Sequence, residues 1–222
     1  MKSKLSERQW IERIKSAYVD KDFPRADQLI AHAMEETGSA PKLLEIAGML
    51  AYERGDFRES IGLLEGAMFE ICLSISAQLT MVNAWLKVGN QKSAETALVF
   101  LVDVIDRVPC TMLRDLTHSV VEIGREDLAA KICQTAFQRH PDDDNAAFAI
   151  GYYAYRSGGS AELALRYMHI ATELNPDSSF YRINLEQNEH HIFLWCERSE
   201  SPYVMAISKE DGRTVWNQPG LR

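Results

Sequence analysis

Apolar residues along the first 176 positions fall into short helical stripes that come in pairs. The leading stripe of each pair is formed by Trp10, Ile11, Ile14 and Tyr18; by Leu44, Ala47, Gly48 and Ala51; by Met81, Val82 and Trp85; by Leu113, Leu116 and Val120; and by Ala147, Ile150, Gly151 and Ala154. Spacings of three and four put most of each set on one side of a helix, and that side has to be buried against a neighbour. A turn residue and a second stripe follow at constant offsets: Gly55, Ser60, Leu64, Ala67; Gly89, Ala94, Leu98, Leu101; Gly124, Ala129, Cys133, Ala136; and Gly158, Ala164, Met168, Ala171, where one extra residue enters around Gly159 and Ser160. An earlier copy has Lys21 in place of the glycine, then Ala26, Ile30 and Ala33, and its Lys21-Asp22-Phe23 aligns with Gly55-Asp56-Phe57. Steps between the turn residues are 34, 34, 35 and 34. The pattern predicts five helix-turn-helix copies, none of which can bury its apolar side alone.

Glycine ends a helix in the left-handed conformation at little steric cost. A side chain there costs about 1 to 2 kcal/mol, so the turn at Lys21 is expected to be either strained or built differently. Pro41, Pro109, Pro141 and Pro176 fall between copies, where proline tolerates the start of a helix but not its continuation. Small residues in the second helices allow close approach of each packed pair.

On these residues the segment from 7 to 176 resembles the tetratricopeptide repeat proteins, whose period is the one found here. Trp10 stands at the family's tryptophan position, Gly48 and Gly151 at its first-helix glycine, and Pro141 and Pro176 at its closing proline. The first-helix tyrosine position reads Ala17, Ala51, Trp85, Val120 and Ala154, and so departs from the pattern. The resemblance implies an all-α, right-handed superhelix with a concave face, lined by the first helices, that binds peptides or other protein segments. Carried residue by residue, it places Lys15 and Tyr18, Met49 and Tyr52, Asn83 and Lys87, Arg114 and His118, and Phe148, Tyr152, Tyr155 and Arg156 on that face as candidate partner-binding residues. On the whole face Arg8, Lys15, Lys42, Lys87, Arg114 and Arg156 outnumber Glu45, Glu53 and Glu122 by three.

Composition changes this picture in one respect. With 24 Lys plus Arg against 32 Asp plus Glu, the chain carries a net charge of −8, which opposes binding to nucleic acid or anionic lipid. The inner face thus differs in sign from the whole, and the expected partner is a protein or peptide with acidic and bulky apolar side chains. No stretch of about 18 apolar residues and no signal peptide is visible, so a cytoplasmic chain is expected. The cysteines, Cys72, Cys110, Cys133 and Cys196, form no C-x-x-C pair, and Cys72 and Cys133 read as small core residues. The common phosphate, dinucleotide, zinc-protease and hydrolase signatures are missing, so neither catalysis, a cofactor nor a metal is expected. Asp142, Asp143 and Asp144 read as caps of the following helix.

Beyond residue 176 the character changes. Residues 177–190 contain Phe180, Tyr181, Ile183 and Leu185 among polar residues and are expected to form a helix covering the end of the stack. Residues 191–222 are expected to hold two or three antiparallel strands, in Ile192 to Cys196, Tyr203 to Ile207 and Thr214 to Trp216, with a hairpin turn at Asp211-Gly212. This hairpin is read as a capping or dimer-forming element. The chain as a whole reads as a protein-binding adaptor or chaperone. The alternative is a self-assembling scaffold subunit joined through the hairpin or by end-to-end stacking.

Overall fold

A computed structural model describes residues 5–177 and, as backbone, the strands at 184–187, 191–196, 203–208 and 214–219. The chain divides into two compact units, residues 1–103 and 104–222. The first holds helices α1 (Glu7–Val19), α2 (Phe23–Thr37), α3 (Pro41–Glu53), α4 (Phe57–Met68), α5 (Ile75–Lys87) and α6 (Gln91–Asp103). In the second, a short 3-10 turn at Ile105–Arg107 precedes α7 (Cys110–Glu122), α8 (Glu126–Arg139), α9 (Asp144–Arg156) and α10 (Ala161–Leu174). Four strands follow: β1 (Asn184–Gln187), β2 (His191–Cys196), β3 (Tyr203–Ser208) and β4 (Thr214–Pro219).

Local chemistry sets the helix ends. Ser6 and Gln9 form a reciprocal capping box at α1, and the side chains of Ser74, Asp143 and Ser160 accept from backbone amides at the starts of α5, α9 and α10. All five turns inside the helix pairs share one geometry. The turn residue has a positive φ in each, 57° at Lys21 and between 76° and 88° at Gly55, Gly89, Gly124 and Gly158. The next amide then closes on the carbonyl five residues earlier, as in Asp22 to Ala17, Asp56 to Ala51 and Gly159 to Ala154, at 2.8 to 2.9 Å. Lys21 therefore takes the strained alternative, held in a glycine-like conformation by the same bonds.

Packing follows the repeat. In the first unit Trp10, Ile14, Ala17, Ala26, Ile30, Ala33, Leu43, Ile46, Ala47 and Leu50 form one buried cluster, and Leu64, Ala67, Leu73, Ala77 and Met81 a second. At Gly48 an added Cβ would lie 2.6 Å from the Leu64 side chain, and at Gly151 one would lie 2.7 Å from the Ala164 carbonyl oxygen. At both positions the paired helices leave no room for a side chain, and both are where the resemblance puts its glycine. Arg54, just after α3, pairs with Asp27 on α2, Asp56 in the turn and Glu59 on α4. Arg139 of α8 donates to the carbonyls of Val108 (2.7 Å) and Ile105 (2.9 Å), tying α8 to the segment that leads into α7.

Three expectations are corrected. Cys72 is exposed and lies beyond α4, in the connection to α5, so it is not a core residue; Cys133 is buried, and burial pushes its thiol up to about 11. The expected covering helix across 177–190 is interrupted by β1, because Asn184–Gln187 satisfies its backbone groups on β2, an option that outcompetes a short isolated helix. The sheet has four strands rather than two or three, in the order β1-β2-β3-β4, each antiparallel to the next. The Asp211-Gly212 turn lies outside the described residues, as do Phe180, Tyr181 and Ile183.

Candidate functional site

The candidate residues lie on the first helices of the pairs, and the two units present them separately. In the first unit Lys15 is exposed on α1, while Tyr18 is half-buried at the rim of the first core cluster. The Tyr18 hydroxyl donates to Glu53 of α3 at 3.2 Å. Burial, then the nearby Glu53 charge and this hydrogen bond, push the phenol up to about 12. Tyr18 also packs its ring on Phe23 at 5.9 Å, and Tyr52 packs on Phe57 at 5.4 Å. Each pair joins the end of a first helix to the start of the second across the turn. Met49 is half-buried against the second core cluster, on which Leu44 and Trp85 also pack. Asn83 (half-buried) and Lys87 (exposed) stand one turn apart on α5.

One acid counted on this face is withdrawn from it. Glu45 is only 2% exposed and accepts from Lys42 Nζ at 2.5 Å, from Ser74 Oγ at 2.5 Å and from the Ser74 amide at 3.3 Å. Burial opposes its charge, yet the bonds from Lys42 and Ser74 prevail and hold the carboxyl below its ordinary value. Since Ser74 caps α5, Glu45 is a structural tie from α3 to the start of α5. Removing Lys42 and Glu45 together leaves the excess of basic residues on the candidate face unchanged.

In the second unit Arg114 and His118 are exposed one turn apart on α7. On α9 the rings of Phe148 and Tyr152 stack with centroids 6.3 Å apart and planes 14° from parallel. The Arg156 guanidinium lies 5.8 Å from the Tyr152 ring centre, donates to the Tyr152 hydroxyl at 3.4 Å and pairs with Glu126 of α8 at 3.0 Å. Tyr152, and then Glu126 against the opposing effect of burial, raise the Arg156 pKa above its ordinary value. Phe148 rests on the buried pair Ala147 and Ala171, and Tyr153 meets Tyr152 edge-on at 5.2 Å. Tyr155 is half-buried. The spacing i, i+4, i+8 thus becomes a ladder of two rings and a guanidinium along one face of α9.

Asp143 caps α9 through the Ala146 amide at 3.0 Å, and Asp144 accepts from Asn175 at 2.7 Å, so both have structural work. Among the described residues no cluster of three His, Cys, Asp or Glu side chains is placed to hold a metal ion, and no helix is long and apolar enough to cross a membrane. Sequence reasoning missed the tyrosine-phenylalanine pairs and the burial of Glu45. The first had a signal, since Tyr18-Val19-Asp20-Lys21-Asp22-Phe23 recurs as Tyr52-Glu53-Arg54-Gly55-Asp56-Phe57. The second had none.

No protein-family model matches the chain, and neither does any curated protein sequence. Solved structures do. YrrB, described as a TPR protein with an unusual peptide-binding site, superposes with a TM-score of 0.57 at 17% identity, over 76% of this chain and 86% of that one. MamA from Desulfovibrio magneticus RS-1 gives 0.58 at 14% identity, over 78% and 97%. Another MamA structure gives 0.58 at 16% identity, over 82% and 98%. Identities this low speak for architecture alone, and the architecture is that of the tetratricopeptide repeat proteins.

Proposed function

We propose that this chain is a non-enzymatic protein-interaction adaptor that receives a peptide or helix of a partner protein on the outward surface of its first helices. The observation that carries the reading is the ladder of Phe148, Tyr152 and Arg156 on α9, held in place by Glu126 and by the core beneath it. Side chains fixed before binding lose little freedom on contact, and tyrosine and arginine bury large areas while still offering hydrogen bonds. A partner bearing bulky apolar and acidic side chains suits this surface, with Arg114 of the same unit adding positive charge, as Lys15 and Lys87 do on the first helices of the other unit. The peptide-binding site for which YrrB is described supports the same reading by likeness of fold. A chaperone role and a cytoplasmic setting belong to this proposal. The alternative scaffold reading is favoured by the C-terminal sheet, whose outermost strands are β1 and β4.

The test is affinity capture from native lysate with the intact protein and with a variant carrying Tyr152→Ala and Tyr155→Ala. A second variant carries Lys87→Glu and Arg114→Glu. Loss of the same captured protein from both, with helical circular dichroism retained, is the expected result. Equal capture by the intact protein and both variants rejects the placement of the site.

A further inference from the structure

The helix pairs share one pattern, so each outward position of one copy can be compared with its equivalents in the others. Two positions on the outer face of α4 break that comparison. Phe69, just past the helix, is 88% exposed, more than any other large apolar side chain among the described residues. Its equivalents are Glu35, Asp103, Gln138 and Glu173, all polar and exposed. Gly62, seven residues earlier and so on the same side of the helix, stands where the other copies carry Gln28, Thr96, Lys131 and Arg166, again all exposed. Nothing lies within 4 Å of a Cβ added at Gly62. The stack requires neither residue, since the other copies are built with polar side chains at both places.

We propose that this face, from Gly62 to Phe69, is a second docking surface, and that its occupant is a segment of a protein partner carrying lysine or arginine beside bulky apolar side chains. Apolar contact is offered by Phe69 and by Met68, which is 51% exposed beside it. Covering such side chains is favourable, and the missing side chain at Gly62 lets a partner's backbone come close. Charge selects the occupant. Glu65, one turn before Phe69, and Glu70, which follows it, are both exposed, and no lysine, arginine or histidine occurs from Glu59 to Leu86. Lys42 of the adjoining α3 is taken up by Glu45, and Arg58 lies about 16 Å back along α4. The last turn of α4 has no basic residue, so the partial negative charge of the helix end adds to that of the two glutamates. A cation can therefore meet Glu65 and Glu70 while its stem covers the Phe69 ring, whereas an acidic segment, a nucleic acid or an anionic lipid surface is repelled. The sign is opposite to that of the first-helix surface, so the two faces discriminate between partners, and docking here does not depend on the adaptor reading.

Titration of the full chain with a soluble amphipathic peptide of leucine and lysine, followed by backbone amide shifts in nuclear magnetic resonance, tests the proposal. The expected result is saturable binding that shifts residues 62–72, with a twin peptide carrying glutamate for lysine at least about tenfold weaker. Phe69→Gln, which restores the polar type of the other copies, and Gly62→Gln, which fills the floor, should each weaken binding of the lysine peptide at least about tenfold. Both sites are exposed, and unchanged circular dichroism verifies that the variants fold. Val19→Gln, at another highly exposed apolar position, and the variant carrying Tyr152→Ala and Tyr155→Ala are expected to leave binding unchanged. Equal binding of the twin peptides, binding indifferent to either glutamine substitution or lost in the tyrosine variant, or no saturation up to about 1 mM peptide overturns the proposal. So does a dimer in sedimentation velocity that Phe69→Gln abolishes, since the occupant is then a second copy of the chain.

Discussion

The hydroxyl of Tyr18, at the end of α1, donates to the carboxylate of Glu53, at the end of α3, across 3.2 Å. The two residues are 35 positions apart and occupy nearly equivalent places in successive helix pairs. This bond therefore registers one first helix against the next, on the surface where a partner is proposed to bind.

That relationship makes stability depend on pH at the alkaline end. The Tyr18 phenol ionises at about 12 in the folded chain and near 10.0 when unfolded, so the folded state retains its proton where the unfolded state has lost it. The stabilisation is complete below pH 10 and is lost as pH rises through about 12. Alkaline urea titrations of the protein and of Tyr18→Phe should diverge in that window, the variant losing less stability. Parallel curves would remove Tyr18 from the account.

Lys21 holds a φ of 57° where the other four turns have glycine. Lys21→Gly should raise the unfolding free energy by about 0.5 to 1 kcal/mol, the relief of left-handed strain less the added freedom of the unfolded chain. Gly55→Ala should lower it by about 1 kcal/mol or more for the converse reason. Urea midpoints measured at one temperature check both signs.

Ser60 is fully buried, and its hydroxyl has no hydrogen-bond partner among the described residues. The equivalent positions in the other copies are Ala26, Ala94, Ala129 and Ala164, all fully buried. Ser60→Ala removes an unsatisfied group without opening a cavity of consequence and should stabilise by about 1 kcal/mol. A lower melting temperature for this variant would contradict the assignment.

Two glycines in helices should respond in opposite directions. Gly151→Ala brings a Cβ to 2.7 Å from the Ala164 carbonyl oxygen, so α9 and α10 must part, at a cost of about 1 to 3 kcal/mol. At Gly62, on the exposed side of α4, nothing lies within 4 Å of an added Cβ, and Gly62→Ala should stabilise by up to about 1 kcal/mol through helix propensity. Thermal unfolding of the two variants side by side distinguishes packing from propensity.

Much of the helical architecture is legible in the residue order because its causes are short-ranged. A stripe repeating every 3.6 residues, a cap such as Ser6, and a glycine that reverses the chain act over fewer than six positions, so they read directly as α1 to α10 and their turns. Even the inserted residue is visible, since Gly159 occupies the position after the left-handed turn and Ser160 becomes the cap of α10. The candidate site was legible only as a set of positions. Tyr18 and Tyr52 were assigned to an open face, but how far their rings lean on Phe23 and Phe57 depends on the angle at which two helices meet.

Order along the chain thus determined the helix pairs, the odd turn at Lys21 and the small residues at the close contacts. Tertiary structure decided that Glu45 is a buried tie to Ser74, that Cys72 is exposed, and that Asn184–Gln187 joins a sheet. The division has one physical origin. Backbone conformation answers to neighbours in sequence, whereas burial of a long or polar side chain answers to whichever distant segment removes its water, and that segment is chosen only when the elements pack.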